Sequence, residues 1–317
     1  RYVCHFLPSS PYSLLPHSSA PPPSPPVHQS LRIPIDTLTK DERCLIDEIS
    51  ALLGITSIDD RREEITQIKH IHQQDTWDCG LTCIQMALQH LNNVGKYNLS
   101  IDQAWMREFV GTESIWTIDL VTLLHYTLKD ITQNATTLSY VFCSTKFGVR
   151  QSYSDIEYYH AAFEQDLQRV ERLFASVVKE KIPLLQVSHL SLKVLVNFVS
   201  KKGCIAIVLI DNRVLLNQTL EGEEQCSTDT VESNSYSGHY VILCGVSYDN
   251  NDLNYAKTQY KKESTDAGKT PQTSEFCFVV KNPGNWKERD LVPSWILDKA
   301  WRSSGTDEDI IFLNFFQ

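Results

Sequence analysis

Long apolar runs are missing from this chain. The longest, around Cys204–Ile210, has the length of a single strand, whereas a membrane-spanning helix needs roughly 20 apolar residues. A basic surface is missing too. Lys and Arg number 29 against 39 Asp and Glu, a net charge of −10, and no stripe of positive charge forms, so nucleic acid is not an expected partner. Glycine is scarce, and no Gly-rich phosphate loop is present. Ala267-Gly268-Lys269-Thr270 imitates the end of one, but Glu263 stands where the first glycine is needed. Cysteine is not scarce, but its nine residues are an odd number without a disulfide-framework spacing. That pattern suits a reducing compartment, cytoplasmic or nuclear. No internal repeat is visible. The chain starts at Arg1, not Met, which leaves its natural N-terminus and any targeting signal open.

The chain has 317 residues, 42% of them hydrophobic, enough for a packed core. Residues 1–35 are rich in Ser, Pro and His, with PPPSPP at Pro21–Pro26, and read as a disordered tail. Residues 36–65 read as a helical extension, with a helix near Lys40–Leu53 closed by Gly54. The remaining 66–317 form the globular domain, interrupted by polar inserts near 217–237 and 250–274 that read as surface loops. In its front half, helices are expected at Asp102–Val110, through Leu123–His125, and within Ser154–Lys181. A strand is expected at Leu138–Phe142 and another at Leu184–Val187, followed by a helix over Ser191–Ser200 with Ser191 as N-cap. The back half offers strands at Gly203–Ile210, His239–Cys244, Phe276–Lys281 and Ile310–Phe316, which read as an antiparallel sheet. Helices first and strands later argue an α+β fold.

The stretch that organises the chain is HIHQQDTWDCGLTCIQMALQHL, His70–Leu91. Leu81, Ile84, Ala87, Leu88 and Leu91 recur at spacings of three and four, which predicts a helix with one apolar face. Asp78 and Gly80 are poor helix-interior residues, so the helix begins at or beside Cys79. A thiol there lies at the positive end of the helix dipole, which favours the nucleophilic thiolate. Gln73, six residues upstream, is within reach to offer its side-chain N–H to an oxyanion. Downstream, Gly238-His239 opens a strand, and Lys281-Asn282-Pro283-Gly284 ends the next one in a turn. A thiol, a base and an orienting amide in that order make a Cys79–His239–Asn282 nucleophile system. His239 as an ordinary strand-end histidine and Asn282 as an ordinary Asn-Pro turn residue are the competing readings.

Four ordered motifs carry a resemblance that spans about Gln67 to Phe316. They are Trp77-Asp78-Cys79-Gly80-Leu81, Ser114-Ile115-Trp116-Thr117-Ile118-Asp119-Leu120, Gly238-His239-Tyr240-Val241-Ile242 and Ser304-Gly305-Thr306-Asp307-Glu308-Asp309. With them the chain resembles the guanylyl-cyclase-domain-containing protein family, whose plant members are named guanylyl cyclases. Gln73 with Asp78-Cys79-Gly80 and a later His-aromatic-Val strand is also similar to the bacteriocin-processing cysteine peptidases fused to ABC transporters. That likeness implies a papain-like fold, with the cysteine helix packed on an antiparallel sheet. Those peptidases usually use Asp before Pro as the orienter, whereas Asn282 before Pro283 is closer to papain's amide.

The two resemblances imply different chemistry. The expected function is thiol-dependent acyl transfer or hydrolysis of an amide, isopeptide or ester, with a peptide or protein substrate and no cofactor. The alternative is a guanylyl cyclase converting GTP to cyclic GMP, with Mg²⁺ or Mn²⁺ on paired carboxylates. Asp119 and the Asp307-Glu308-Asp309 trio are the carboxylates in question; capping or buried pairing suits Asp119 better, and a solvated turn suits the trio. A third reading is a binding module on a degenerate peptidase scaffold. A fourth is zinc on His70, His72, Cys79 and Cys83, against which stands that His70 and His72 on an extended segment point to opposite sides. Cys83 fits the buried face of the helix better.

Overall fold

A computed structural model of the chain describes residues 38–55, 65–95, 99, 101–129, 138–217, 236–260 and 276–315. All lie in one compact unit, Arg32–Gln317, while Arg1–Leu31 fall outside the described residues. The expected tail and the Ala267–Thr270 motif are therefore outside them as well.

In chain order the elements are α1 (Lys40–Leu52), α2 (Cys79–Gly95), α3 (Gln103–Val110), α4 (Thr117–Lys129) and β1 (Ser139–Ser144). Next come α5 (Glu157–His160), α6 (Phe163–Lys179), β2 (Leu184–Gln186), α7 (Leu192–Val199), β3 (Cys204–Asp211) and α8 (Asn212–Asn217). The back half holds β4 (Gly238–Ser247), α9 (Asn250–Gln259), β5 (Cys277–Lys281), β6 (Asp290–Pro293), α10 (Ser294–Trp301) and β7 (Ile310–Asn314). The strands make one seven-stranded sheet in the order β2-β1-β7-β3-β4-β5-β6, and the fold is α+β. Every neighbouring pair is antiparallel except β1 with β2, which is parallel.

Burial explains which apolar runs became which strands. β3 is buried along its whole length, since both faces of the sheet are covered at its centre, and a continuous apolar run results. One face carries α2, α3, α4 and α6, packed on Tyr240, Ile242, Ile207 and Ile311. The other carries α1, α7 and α10, packed on Val241, Leu243, Val208 and Phe312. From Tyr240 to Cys244, β4 therefore alternates, with even-numbered side chains toward α2 and odd-numbered ones away, until the irregularity between Leu243 and Gly245 puts Val246 on the far face.

Local chemistry fixes the helix ends. Thr39 and Glu42 form a reciprocal capping box on α1, and Gly54 closes it at φ +66. Asp102 caps α3 and Ser191 caps α7. α1 joins the main core through Ile46, Ile49 and Leu53. The Asn314 amide also donates to the Leu53 carbonyl at 3.0 Å.

Three expectations change. The insert expected to be a loop from residue 250 begins as α9, because Asp249 accepts from the Asn251 and Asp252 N–H groups and Leu253 and Ala256 bury one face. Its remainder, 261–275, and residues 218–235 of the other insert lie outside the described residues. The helix expected through Leu123–His125 starts earlier, at Thr117, inside the Ser114–Leu120 motif. Strand β6 and helix α10 were not expected at all. Asp290–Trp301 carries neither clean alternation nor a capping side chain on α10, so tertiary packing decides it.

Gly80 sets how closely α2 approaches the sheet. A Cβ there would lie 2.9 Å from a Leu120 methyl and 3.0 Å from the Tyr240 ring. An exposed helical Gly→Ala substitution gains about 1 kcal/mol, whereas overpacking costs about 1–3 kcal/mol. Gly80→Ala is therefore expected to be destabilising by roughly 1 kcal/mol in urea unfolding; a stabilised variant would mean that the helix does not need this approach.

Candidate functional site

The segment before α2 runs along β4 and the turn after β5. Thr66 N–H donates to the Cys244 carbonyl at 2.8 Å, and Gln73 N–H to the Pro283 carbonyl at 2.9 Å. Asp78 ends it with a fully buried carboxylate. That carboxylate accepts from Gln74 N–H at 3.3 Å, Asp75 N–H at 3.2 Å, Gln103 Nε2 at 2.7 Å and Arg107 Nη2 at 2.5 Å. The Asp78 carbonyl takes the first backbone bond of the helix, from Thr82 at 2.9 Å. Cys79 is thus held at the helix start, as its neighbours predict.

The sulfur lies against the mouth of β4. Pairing of β4 with β5 begins only at Ile242 with Lys281, so Tyr240 has no partner strand on that side. Cys79 Sγ takes the Tyr240 N–H at 3.5 Å, and one turn later Cys83 Sγ bonds the Tyr240 carbonyl at 3.5 Å. Burial pushes the Cys79 thiol up to about 11, only partly offset by the Tyr240, Gly80 and Cys79 N–H groups, with the Asp78 charge adding to the rise. The expected lowering by the helix dipole is therefore outweighed: desolvation of a thiolate in a nearly closed site exceeds what a helix terminus supplies.

His239 and Asn282 come together at the other side of this mouth. His239 Nε2 and Asn282 Oδ1 are 2.8 Å apart, and the same oxygen accepts Gly284 N–H at 2.9 Å. The amide oxygen being the acceptor, Nε2 is the protonated nitrogen and Nδ1 carries the lone pair. Burial lowers the His239 pKa, with the Asn282 bond working against it, so the ring is neutral at pH 7. Gly284 packs tightly here: a Cβ would sit 3.2–3.3 Å from the His239 ring and the Asn282 oxygen, so either would have to shift by a few tenths of an ångström. The turn is tied further by His70 Nε2, 2.9 Å from the Asn282 carbonyl.

Among the described residues the thiol and the imidazole share no hydrogen bond. They sit on adjoining positions at the β4 mouth, Cys79 on the Tyr240 amide and His239 one residue before it. Gln73 donates one Nε2 hydrogen to the Asp75 carbonyl at 2.7 Å, its Oε1 is buried without a partner, and the second Nε2 hydrogen is left for another acceptor. Beside it, His72 stacks flat on the exposed Trp286 with centroids 3.7 Å apart.

The other candidates fall elsewhere. His70, His72 and Cys83 have the separate partners just given, and among the described residues no three His, Cys, Asp or Glu side chains could hold a metal ion. Asp119 caps the start of α4, taking Trp116 N–H at 2.8 Å, and pairs with Arg169, which also bonds Asp166 at 2.8 Å. Burial raises its pKa to about 6 even so. Asp307 pairs with Arg150, and Glu308 with Arg302 at 3.0 Å. The trio is a part-exposed turn: all three residues are half-buried, the Asp309 Oδ1 atom is shut off from solvent, and burial together with Asp307 pushes the Asp309 pKa up to about 8. Three features of this region were not read from the sequence: the Asp78 carboxylate as a hub, the Tyr240 amide as the thiol's partner, and the partial cover of Asp309. Only the first left a signal, a carboxylate directly before a helix-start residue.

A family model described as guanylylate cyclase matches residues 68–313. The chain belongs to this family. It is 29% identical over 248 residues to guanylyl cyclase 1 of Arabidopsis thaliana, covering 78% of this chain and 75% of that protein. Among solved structures it is similar to a putative C39-like peptidase from Bacillus anthracis, at 12% identity and a TM-score of 0.34 over 78% of this chain and 94% of that one. In this family member, a thiol at about 11 is thiolate in only about one molecule in 10⁴ at pH 7. Iodoacetamide labelling of Cys79 in the folded protein, followed by mass spectrometry, is expected to be slow at pH 7 and to rise about tenfold per pH unit toward pH 10. A rate already on a plateau at pH 8 would show that the thiol is not desolvated.

Proposed function

We propose that this family member carries a papain-like thiol site that performs acyl transfer or hydrolysis on an amide, isopeptide or ester. The observation that carries the reading is the His239–Asn282 pair, 2.8 Å apart, at the mouth of the strand whose next amide holds Cys79. The Nε2-protonated tautomer leaves Nδ1 as the basic nitrogen, the one a Cys–His system needs. At rest both groups are neutral. Proton transfer from Sγ to Nδ1 then accompanies attack on the substrate carbonyl.

In the first half of the reaction the sulfur bonds the carbonyl carbon and its proton passes to His239. The oxyanion is held by the unpaired N–H groups at the start of α2. The imidazolium, steadied by Asn282, returns its proton to the leaving amine or alkoxide as the carbonyl reforms, giving a thioester. Water then attacks the thioester, losing its proton to His239, and the acid product leaves as the thiol regains a proton. Gln73 contributes to this site through the Nε2 hydrogen that the Asp75 carbonyl does not take.

The cyclase reading rests on the family's description and on the name of the Arabidopsis relative. Against it stands that Asp119, Asp307 and Glu308 are each paired with an arginine, which leaves Asp309 alone of these carboxylates without an ion pair, short of the paired carboxylates that two divalent ions need. A binding module on a degenerate thiol scaffold is the remaining alternative.

The test is a set of acyl-type activity probes, an acyloxymethyl ketone and a ubiquitin-like C-terminal electrophile among them, run beside a GTP assay with Mg²⁺ and Mn²⁺. Labelling is expected to vanish in Cys79→Ala and to fall about 10²–10⁴-fold in His239→Ala, with little cyclic GMP formed. Cyclic GMP production that survives Cys79→Ala but is lost in Asp119→Ala would establish the cyclase instead. Labelling equal in wild type and His239→Ala would leave the binding module.

A further inference from the structure

The thiol site makes no use of the Ser114–Leu120 and Ser304–Asp309 motifs, yet the fold brings them together on the far side of the β4 mouth. They enclose a cavity lined by Trp116, Thr117, Tyr153, Tyr159, Tyr240 and Asp309. Its free volume is about 20 Å³, the room taken by about one water-sized body. A polar cavity of about 350 Å³ adjoins it, sharing Tyr153, Gly305, Thr306 and Asp307. The walls are rigid. Trp116, Tyr153 and Tyr159 form a cluster with ring centroids 5.0–6.3 Å apart. Tyr240 is fixed by its hydroxyl, 3.0 Å from Thr117 Oγ1, and Tyr159 donates to the Gly305 carbonyl at 2.9 Å.

The charge count inside is uneven. Arg150 contacts Asp307, and Glu308 is satisfied by Arg302. Asp309 has no ion-pair partner in contact. The Ser144 and Thr117 hydroxyls hydrogen-bond its carboxyl group and the Arg150 charge acts on it, but its Oδ1 is shut off from solvent with no hydrogen bond. The cavity thus surrounds two carboxylates with one guanidinium and faces the odd carboxylate with aromatic rings. Burial first, and the neighbouring Asp307 charge second, push the Asp309 pKa up to about 8, against the lowering by the Ser144 and Thr117 hydroxyls and the Arg150 charge. The turn beside Asp309 carries two successive non-glycine residues in the left-handed region, Asp307 at φ +49 and Glu308 at φ +52.

We infer that this cavity binds a small primary ammonium ion, with the Asp309 carboxylate as counter-charge and the aromatic faces as walls. A carboxylate gives a charge-assisted hydrogen bond to an ammonium, and ring faces attract it through their quadrupoles. Room for about one water-sized body admits an –NH₃⁺ head and excludes a quaternary ammonium.

The probe is methylammonium chloride, compared with sodium, potassium and tetramethylammonium chloride at equal ionic strength in thermal unfolding of the full chain. Methylammonium is expected to raise the unfolding midpoint saturably, tetramethylammonium and sodium not at all, and Asp309→Asn to abolish the rise. An equal rise with every salt, no rise, a larger rise with potassium, or a rise retained in Asp309→Asn would overturn the proposal. Should Asp309→Asn fail to fold, saturation-transfer NMR on the wild type decides. Irradiated aromatic protons are expected to pass magnetisation to the methylammonium methyl group but not to tetramethylammonium. Absence of that transfer refutes the site.

Discussion

The buried Asp78 carboxylate is the constraint on which the arrangement of the thiol depends. A carboxylate with no solvent exposure is tolerated only when donors surround it, and here two backbone N–H groups, the Gln103 amide and the Arg107 guanidinium do so. Those donors come from the turn before α2 and from α3, so one side chain joins the turn, the start of α2 and the neighbouring helix. Arg107 reaches on to Asp75 at 2.6 Å and lies over the Trp77 ring, closing the turn from outside. Removal of either partner would leave an uncompensated buried charge, the costly case for an internal ion pair. The position of Cys79 at the first turn of α2 follows from this anchor.

The second determinant is an early end to strand pairing. β5 leaves β4 before Tyr240, and the freed edge becomes a place where a helix start, a strand mouth and the Asn282–Gly284 turn converge. Close contacts need small residues, and glycine stands at both: Gly80 where α2 meets Tyr240, and Gly284 where the turn meets His239. Low solvent access, the other consequence, raises the thiol and lowers the imidazole, so the resting pair is neutral–neutral. Chemistry in such a site depends on a substrate that brings proton donor and acceptor together, rather than on a standing thiolate.

Much of this was legible in the residues, and the parts that were not share a cause. The helix start at Cys79 and the Ser191 cap were readable because local chemistry fixes them. The strands Gly203–Ile210 and His239–Cys244 were readable because period and continuity of apolar residues report burial directly. The pairing of His239 with Asn282 emerged from residue type and order alone. What failed was whatever depends on solvent and direction. A helix dipole at Cys79 is visible in sequence, but the burial that defeats it exists only once the helix start is packed against the mouth of a strand far along the chain. Gln73 has the right side chain at a sensible spacing, but the bond of one of its amide hydrogens to the Asp75 carbonyl was not foreseen. Likewise Asp307-Glu308-Asp309 reads as a turn, but the partial cover that Arg150, Arg302 and the tyrosines of a distant segment give it is not visible in sequence.

The central claim is that Cys79 and the His239–Asn282 pair are one site whose members engage when a carbonyl is bound. A crystal structure of the protein with a peptide aldehyde tests it directly. The account expects a thiohemiacetal on Cys79, its oxygen at the N–H groups that open α2, and His239 Nδ1 within about 3–4 Å of the sulfur while Nε2 keeps its bond to Asn282. An aldehyde that leaves Cys79 unmodified, or an adduct formed while His239 stays bonded to Asn282 and turned away from the sulfur, would contradict it.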